Sequence, residues 1–209
     1  MRIREVLALT PVIPVLTVQK LEQAVPLAQA LYAGGLQVLE VALRTPLAWD
    51  VIAAMRVAVP DAVVGAGSLL WPQDFARAAA VGAQFAVTPG LTAQLAEAAA
   101  AARLPLLPGI ATPGEILQAL QLGFDTLKFF PAQQAGGVPM LQAFMGPFAQ
   151  VAFCPTGGIS RATAPSFLKL DNVLCVGGSW IAPPGLVEDG DWAGIEALAR
   201  DAAGLPRHG

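Results

Sequence analysis

Short apolar runs alternate along this chain with stretches in which apolar residues recur at helical spacing. The runs are rich in Val, Ile and Leu, and most of them lead directly into Gly, Pro, Ser or Thr. The intervening stretches are rich in Ala, Leu and Glu. An alternation of this kind, with a repeat of about 20 to 25 residues, is typical of βα units on a parallel sheet.

The pattern predicts eight strands, and most of them are followed by a helix. The strands are expected at residues 11–18, 36–43, 62–67, 84–88, 105–110, 125–130, 150–154 and 172–176. The helices are expected at residues 21–32, 46–59, 72–81, 92–102, 113–122, 161–170 and 192–203, with a further helical segment after residue 179. This is the strand count of a (β/α)8 TIM barrel, and residues 1–10 would add a short N-terminal helix that closes its bottom.

A doubly wound open sheet is the alternative fold. Such a sheet normally has fewer strands and often carries a Gly-x-Gly-x-x-Gly turn after the first one. Here the first strand leads into Thr17-Val-Gln-Lys20 instead. No linker or charge run divides the chain, so we predict a single α/β domain over residues 1–209.

Composition narrows the location and the partners of the protein. The chain has 209 residues, of which 55% are hydrophobic, enough to bury a large core. No apolar run approaches the roughly 18 to 20 residues of a membrane span, and the first five residues are too mixed to open a signal peptide. We therefore predict a cytoplasmic protein.

The net charge is −3 without a basic stripe, which argues against nucleic-acid and membrane partners.

Cysteine and histidine usage restricts the chemistry. Cys154 and Cys175 lie in apolar runs, where free cysteine behaves as a small buried hydrophobe. The single histidine, His208, is the penultimate residue, which argues against histidine-based triads and histidine-ligated zinc sites. We predict no metal and no cofactor. Carboxylates, lysine, backbone groups and hydroxyls remain as candidates.

Lys128 is one of three lysines and the only one inside an apolar run, between Leu127 and Phe129. Loss of hydration there disfavours the charged form and favours the neutral, nucleophilic amine that a Schiff-base lysine needs. The alternative is a lysine on an edge strand that extends its ammonium group to water. Phe130 lies on the same side of the strand and would wall off the amine.

The other candidate side chains lie late in predicted strands, where the active sites of such barrels are found. On the second strand, alternation places Glu40 and Arg44 on one face. They are about 13 Å apart by strand rise, which favours separate roles over a mutual ion pair. The third strand ends at the hydroxyl of Ser68, among residues with little bulk. An amine, a carboxylate and a guanidinium form a coherent set for iminium chemistry on a carboxylate substrate.

The last two strands end in glycine-rich loops, at residues 156–158 and 177–179. In TIM barrels the loops after strands seven and eight often bind phosphate through backbone N–H groups. Either loop alone would be explained as a tight turn. Their presence at both expected places favours a site for an anionic group.

The chain resembles the class I aldolases for 2-keto-3-deoxy-6-phosphogluconate (KDPG) and 4-hydroxy-2-oxoglutarate (KHG). The resemblance extends from about residue 11 to residue 203 and implies a (β/α)8 barrel and a homotrimer. It is carried by VLEVALRT at 38–45, VGAGS at 64–68, TPGL at 88–91, LLPGI at 106–110, LKFFPA at 127–132, FCPTGGI at 153–159 and VGGSW at 176–180.

The resemblance also implies a role for each matching residue. Lys128 corresponds to the Schiff-base lysine and Glu40 to the general acid/base. Arg44 and Ser68 correspond to the residues that hold the pyruvate carboxylate. Pro89 and Phe130 would line the pocket, and the distal phosphate would be held by Thr156, Gly157, Gly158, Gly178 and Ser179.

This sequence departs from the family pattern at several positions. Ser68 and Ala42 replace threonines, Trp71 replaces an asparagine and Gln133 replaces a glutamate. No catalytic group is lost. Trp71, just after the third strand, would reshape the pocket entrance.

The expected reaction is reversible aldol cleavage of a phosphorylated 2-keto acid. KDPG would give pyruvate and D-glyceraldehyde 3-phosphate, and 4-hydroxy-2-oxoglutarate would give pyruvate and glyoxylate. The glycine loops favour KDPG. Two alternatives stay open: 2-keto-3-deoxy-6-phosphogalactonate aldolase, and a non-catalytic phosphate-binding barrel in which Lys128 only anchors the anion.

Overall fold

The computed structural model describes residues 1–207 of the chain, within which strands and helices alternate. The strands are β1 Val12–Leu16, β2 Val38–Ala42, β3 Val63–Gly67, β4 Ala86–Val87, β5 Leu106–Leu107, β6 Gly109–Ile110, β7 Thr126–Phe129, β8 Ala152–Pro155 and β9 Val176–Gly178. The helices are α1 Ile3–Ala8, α2 Ala24–Ala33, α3 Ala48–Ala58, α4 Pro72–Ala80, α5 Ala93–Ala101, α6 Pro113–Gln121, α7 Gly137–Met145, α8 Ala164–Leu168, α9 Pro184–Asp189 and α10 Trp192–Ala203. A short 3-10 helix, Leu21–Gln23, precedes α2.

The strands form two parallel sheets. One has six strands in the order β5-β4-β3-β2-β1-β9, and the other has three in the order β6-β7-β8. The chain passes directly from β5 to β6 across Pro108, and an isolated parallel bridge joins Thr156, just after β8, to Gly177 of β9. The protein is therefore an α/β chain with a curled parallel sheet.

An apolar cluster fills the space enclosed by the strands. It contains one residue from each of the strands β1 to β5, Phe85 just before β4, and both cysteines, and α1 contributes Val6 and Leu7. The predicted N-terminal helix is thus present and covers the bottom of this interior. A larger cluster fills the space between the strands and the outer helices. Because alternation places every second strand residue inside, polar residues further along the same strands point into the upper part of the interior.

Three details differ from the sequence-based prediction. The predicted strand at 105–110 is divided into β5 and β6, because Pro108 has no N–H to donate to a neighbouring strand. Its carbonyl still accepts a hydrogen bond from the Lys128 N–H at 2.8 Å. Helix α7 has no counterpart in the prediction, because its start, Gly136-Gly137-Val138-Pro139, has the composition of a turn.

The last strand was predicted too early, at 172–176 instead of Val176–Gly178. The bridges from β8 explain the shift: Phe153 pairs with Val173, but Thr156 pairs with Gly177. Between the two bridges, two residues on one side therefore face three on the other, as in a β-bulge. The ladder resumes only at Val176, so the two glycines assigned to a loop belong to the strand.

None of the helices within residues 1–207 is long and apolar enough to cross a membrane.

Candidate active site

Lys128 lies in the middle of β7, which pairs on both sides. Its register partners are Gly109 of β6 and Cys154 of β8. The residue is only 6% exposed. Lys128 is therefore a buried lysine on a central strand rather than an edge-strand lysine with its ammonium group in water.

The amine of Lys128 contacts the carboxylate of Glu40 across the interior. Lys128 Nζ lies 3.1 Å from Glu40 Oε1, and both side chains are almost completely buried. The amine also lies 5.7 Å from the centre of the Phe130 ring, which the sequence placed on the same side of the strand. The structure thus brings together an amine and a carboxylate from two residues that lie 88 positions apart in the chain.

Gly67 makes room for this carboxylate. Glu40 pairs with Gly65 of β3, and Gly67 lies two residues further on the same face. A Cβ at Gly67 would collide with the Glu40 carboxylate and lie 2.7 Å from its Cγ. The glycine is therefore required by the neighbouring strand and not by a turn. The alternation that singled out Glu40 would also have identified this position.

Arg44 follows β2 and reaches solvent. Among residues 1–207 its guanidinium forms no ion pair, so the mutual Glu40–Arg44 pair is not formed. It lines a cavity of about 310 Å³ between the ends of β9, β1 and β2. Ser179 lines the same cavity, which places a cation beside one of the residues assigned to the phosphate site.

Ser68 lies in a different recess. Its backbone is left-handed, with φ of 63°, which is uncommon for a residue other than glycine and often marks a functional site. The recess has a volume of about 230 Å³ and is lined by Ser68 together with Trp49 and Trp71. The structure therefore places Arg44 and Ser68 on opposite sides of the end of β2, facing different cavities.

Pro89 and Phe130 lie at the ends of β4 and β7. The Pro89 carbonyl packs so closely on Gly109 that a Cβ there would overlap it, so Gly109 has a packing role besides its place in β6. Pro89 is exposed and Phe130 is half-buried. Both are available at the mouth of the interior.

The two glycine loops are neighbours in space. The Thr156–Gly177 bridge joins them, and a Cβ at Gly177 would collide with the Thr156 hydroxyl. Gly157 and Gly158 have φ of 105° and 73°, a conformation that favours glycine. Ser179 follows β9 and is exposed. The predicted phosphate residues therefore come together, whereas Gly178 packs under the ring of Trp180.

Several polar residues near the site were not identified from the sequence. Thr17, Gln19 and Glu188 line the cavity of Arg44 and Ser179. Strand alternation through Val15 would have pointed to Thr17. No local signal pointed to Gln19 or Glu188, because their proximity depends on how α9 packs against the end of β1.

The described residues contain no group of three or more His, Cys, Asp or Glu side chains placed to hold a metal ion. His208 lies outside the described residues.

Comparison with known proteins gives consistent matches. The family model for KDPG and KHG aldolase matches residues 3–198. The KHG/KDPG aldolase of Escherichia coli K12 is 52% identical over 197 residues, which cover 94% of this chain and 92% of that protein. The crystal structure of the 2-keto-3-deoxy-6-phosphogluconate aldolase from Zymomonas mobilis ATCC 29191 has a TM-score of 0.94 at 47% identity, covering 99% of this chain and 98% of that one.

A further similar structure carries mechanistic information about its own protein. It is the KDPG aldolase from Legionella pneumophila, with pyruvate captured at low pH as a covalent carbinolamine intermediate. Its TM-score is 0.95 at 44% identity, and the match covers 97% of this chain and 98% of that one.

Proposed function

Because the chain belongs to the KDPG and KHG aldolase family, which consists of lyases, we propose that it is a class I aldolase that cleaves KDPG to pyruvate and D-glyceraldehyde 3-phosphate. The observation that carries this proposal is the buried Lys128–Glu40 pair at 3.1 Å. A primary amine and a carboxylate in contact in an interior shielded from water are the two groups that iminium chemistry requires.

Lys128 is the proposed nucleophile. Its amine adds to the C2 carbonyl of the substrate to give a carbinolamine, which loses water to form an iminium ion. The iminium withdraws electrons from the C3–C4 bond. When the C4 hydroxyl loses its proton, this bond breaks, the aldehyde leaves, and an enamine of pyruvate stays on the lysine.

Glu40 is the proposed proton-transfer group. Its carboxylate accepts the C4 hydroxyl proton during cleavage and returns a proton to C3 of the enamine. Water then hydrolyses the resulting iminium, which releases pyruvate and restores the amine. The 3.1 Å contact lets Glu40 exchange protons with the lysine nitrogen as well.

The remaining assigned residues bind the substrate. We assign Arg44 and Ser68 to the pyruvate carboxylate, which then lies over the end of β2, between the two cavities that these residues line. Pro89 and Phe130 wall the reacting centre. The distal phosphate lies against Thr156, Gly157, Gly158, Gly178 and Ser179, whose loops are joined by the Thr156–Gly177 bridge.

Reductive trapping tests the lysine assignment. Incubation with pyruvate and borohydride, followed by peptide mass spectrometry, is expected to give an adduct on Lys128. Lys128→Ala should abolish the adduct, and Lys169→Ala, which removes an exposed lysine, should not change it. An adduct that persists in Lys128→Ala would refute the assignment, and the absence of any adduct on the wild-type protein would favour the non-catalytic phosphate-binding barrel.

The substrate is settled by relative rates. We expect KDPG to be cleaved with the highest kcat/KM, because the glycine loops favour a phosphorylated substrate, and 4-hydroxy-2-oxoglutarate to be cleaved to pyruvate and glyoxylate more slowly. A higher kcat/KM for 2-keto-3-deoxy-6-phosphogalactonate would instead select the alternative aldolase.

The proposal extends to the whole molecule. We infer a closed (β/α)8 barrel of one domain over residues 1–209, supported by the Pro108 link between β5 and β6 and by the bridge between Thr156 and Gly177. A homotrimer in the cytoplasm completes the proposal. Light scattering should give a mass three times that of the chain, and a monomer would contradict the trimer.

A further inference from the structure

The cavity lined by Arg44 and Ser179 has further polar residues on its walls. It lies between the ends of β9, β1 and β2 and is closed on one side by α9. Thr17 and Gln19 reach it from the end of β1, and Glu188 reaches it from α9. The cavity therefore offers hydroxyl, amide and carboxylate groups beside a guanidinium.

These polar side chains are available to a ligand. Within the described part of the chain, the side chains of Thr17, Gln19 and Glu188 make no hydrogen bond or ion pair. Gln23, which also lines the cavity, is different, because its Nε2 donates to the Val187 carbonyl at 3.3 Å and its Oε1 accepts from the Lys20 N–H at 3.2 Å. Gln23 thus holds α9 in place, and its neighbours remain free.

The second recess, beside Ser68, also has polar residues on its walls, Thr45 and Asp74, but both already form hydrogen bonds within the protein. Trp49 and Trp71 line it, and Trp71 is 62% exposed. The Arg77 guanidinium stacks on the Trp49 ring at 4.7 Å. The Thr45 hydroxyl donates to the Val18 carbonyl at 3.1 Å, and the Asp74 carboxylate accepts from the Trp71 N–H at 3.2 Å, so this recess leaves fewer free polar groups for a substrate hydroxyl than the first cavity does. Burying an unpaired hydroxyl is unfavourable. A hydroxylated chain that extends from the reacting centre therefore fits the first cavity better.

We propose that Gln19 and Glu188 determine substrate specificity by hydrogen-bonding the hydroxyl-bearing distal part of the aldol substrate in the cavity of Arg44 and Ser179. This inference rests on the proposed function. The Glu188 carboxylate accepts a hydrogen bond from a substrate hydroxyl, and the Gln19 amide donates or accepts one. KDPG carries a hydroxyl on C5, whereas 4-hydroxy-2-oxoglutarate has a carboxylate at that carbon and extends no further.

The test compares the two substrates in one set of variants. Gln19→Leu and Glu188→Ala are expected to lower the ratio of kcat/KM for KDPG to kcat/KM for 4-hydroxy-2-oxoglutarate by about 3- to 10-fold each, the effect of one lost hydrogen bond. The matched controls are Gln37→Leu and Glu97→Ala, which alter exposed residues outside the cavity. The controls should keep the wild-type ratio.

Borohydride trapping of pyruvate on Lys128, measured on the same variants, separates this inference from the proposed function. If wild-type protein gives no adduct, the proposed function fails. If the adduct forms and the ratio stays at the wild-type value in both cavity variants, this inference alone is wrong. An equal loss on both substrates also overturns it, because Gln19 and Glu188 would then only shape the pocket.

Discussion

At the scale of single residues, the Lys128–Glu40 pair dominates the site. Two opposite charges that are both buried lose most of their hydration, and their contact offsets this cost only when the geometry is good. Removing one partner leaves the other buried and unpaired. The pair therefore depends on the space for the Glu40 carboxylate that Gly67 leaves.

We expect Glu40→Gln to lower kcat for KDPG cleavage by a factor on the order of 10² to 10⁴, the usual contribution of a general acid/base. The amide keeps the volume and an oxygen acceptor for the Lys128 amine but cannot take up a proton. Steady-state kinetics measures the loss, and thermal unfolding checks that the variant is folded. A folded variant with wild-type kcat would show that another group transfers the protons.

Gly67→Ala tests the space beside the carboxylate. The new methyl group would collide with the Glu40 side chain, so we expect a loss of about 1 to 3 kcal/mol in the free energy of unfolding, together with reduced activity. Gly114→Ala is the matched control, since a Cβ at Gly114 meets nothing within 4 Å. Denaturant titration compares the two. Equal stability of both variants would mean that Glu40 moves aside without cost.

At the scale of elements, the helices α5, α6 and α10 each begin at a residue whose side chain accepts a hydrogen bond from a backbone N–H of the first turn. Helix α6 is an example, because Thr112 and Glu115 form a capping box before it. The Thr112 hydroxyl accepts from the Glu115 N–H, and the Glu115 carboxylate accepts from the N–H groups of Ala111 and Thr112. This start fixes where the chain leaves β6, next to β7 and Lys128.

Burial of Glu115 opposes its ionisation, but hydrogen bonds from the backbone of Ala111 and Thr112 and from the Thr112 hydroxyl outweigh burial and hold its pKa below the ordinary 4.5. A carboxyl group whose pKa is lower in the folded state than in the unfolded state stabilises the fold at pH values above its ordinary pKa. This contribution is lost as the pH falls through the folded-state pKa.

The Thr112 hydroxyl also caps α6, so we expect Thr112→Ala to lower the free energy of unfolding by about 1 kcal/mol at neutral pH.

The pH dependence of the free energy of unfolding separates the helix cap that Thr112 provides from the contribution of the Glu115 carboxylate. In Glu115→Gln, the part of the acid destabilisation below pH 4.5 that comes from this carboxyl should disappear. Denaturant unfolding of the variant and wild type between neutral and acidic pH measures it. An unchanged acid profile would show that the carboxylate does not contribute to folding.

At the scale of the whole molecule, the interior formed by the strands excludes water from both cysteines. Cys175 donates a weak hydrogen bond to Cys154 at 3.6 Å, and both residues belong to the interior apolar cluster. Burial first, and then the contact with Cys154, raises the pKa of the Cys175 thiol well above its ordinary 9.0. A buried neutral thiol reacts slowly, because the thiolate is the nucleophile.

We expect neither cysteine to react with a water-soluble disulfide reagent in the native protein at pH 8, and both to react when the chain unfolds. The amount of thiol product that the reagent releases, measured in native buffer and in denaturant, gives the number of reactive cysteines in each state. Rapid reaction of either cysteine without denaturant would show that the interior opens locally under native conditions.

The sequence by itself determined which residues face inward, since strand alternation is a local property of the backbone. It therefore predicted Lys128, Glu40 and the α/β repeat, together with the N-terminal helix. The tertiary structure decided which of these residues meet, because contact between strands far apart in the chain depends on the curvature of the sheet and on its register. The sequence grouped Lys128 and Glu40 as one set, but their 3.1 Å contact, the late start of β9 and the placement of Arg44 and Ser68 in different cavities followed only from the fold. Gln19 and Glu188 were missed for the same reason, because the packing of α9 brings them together.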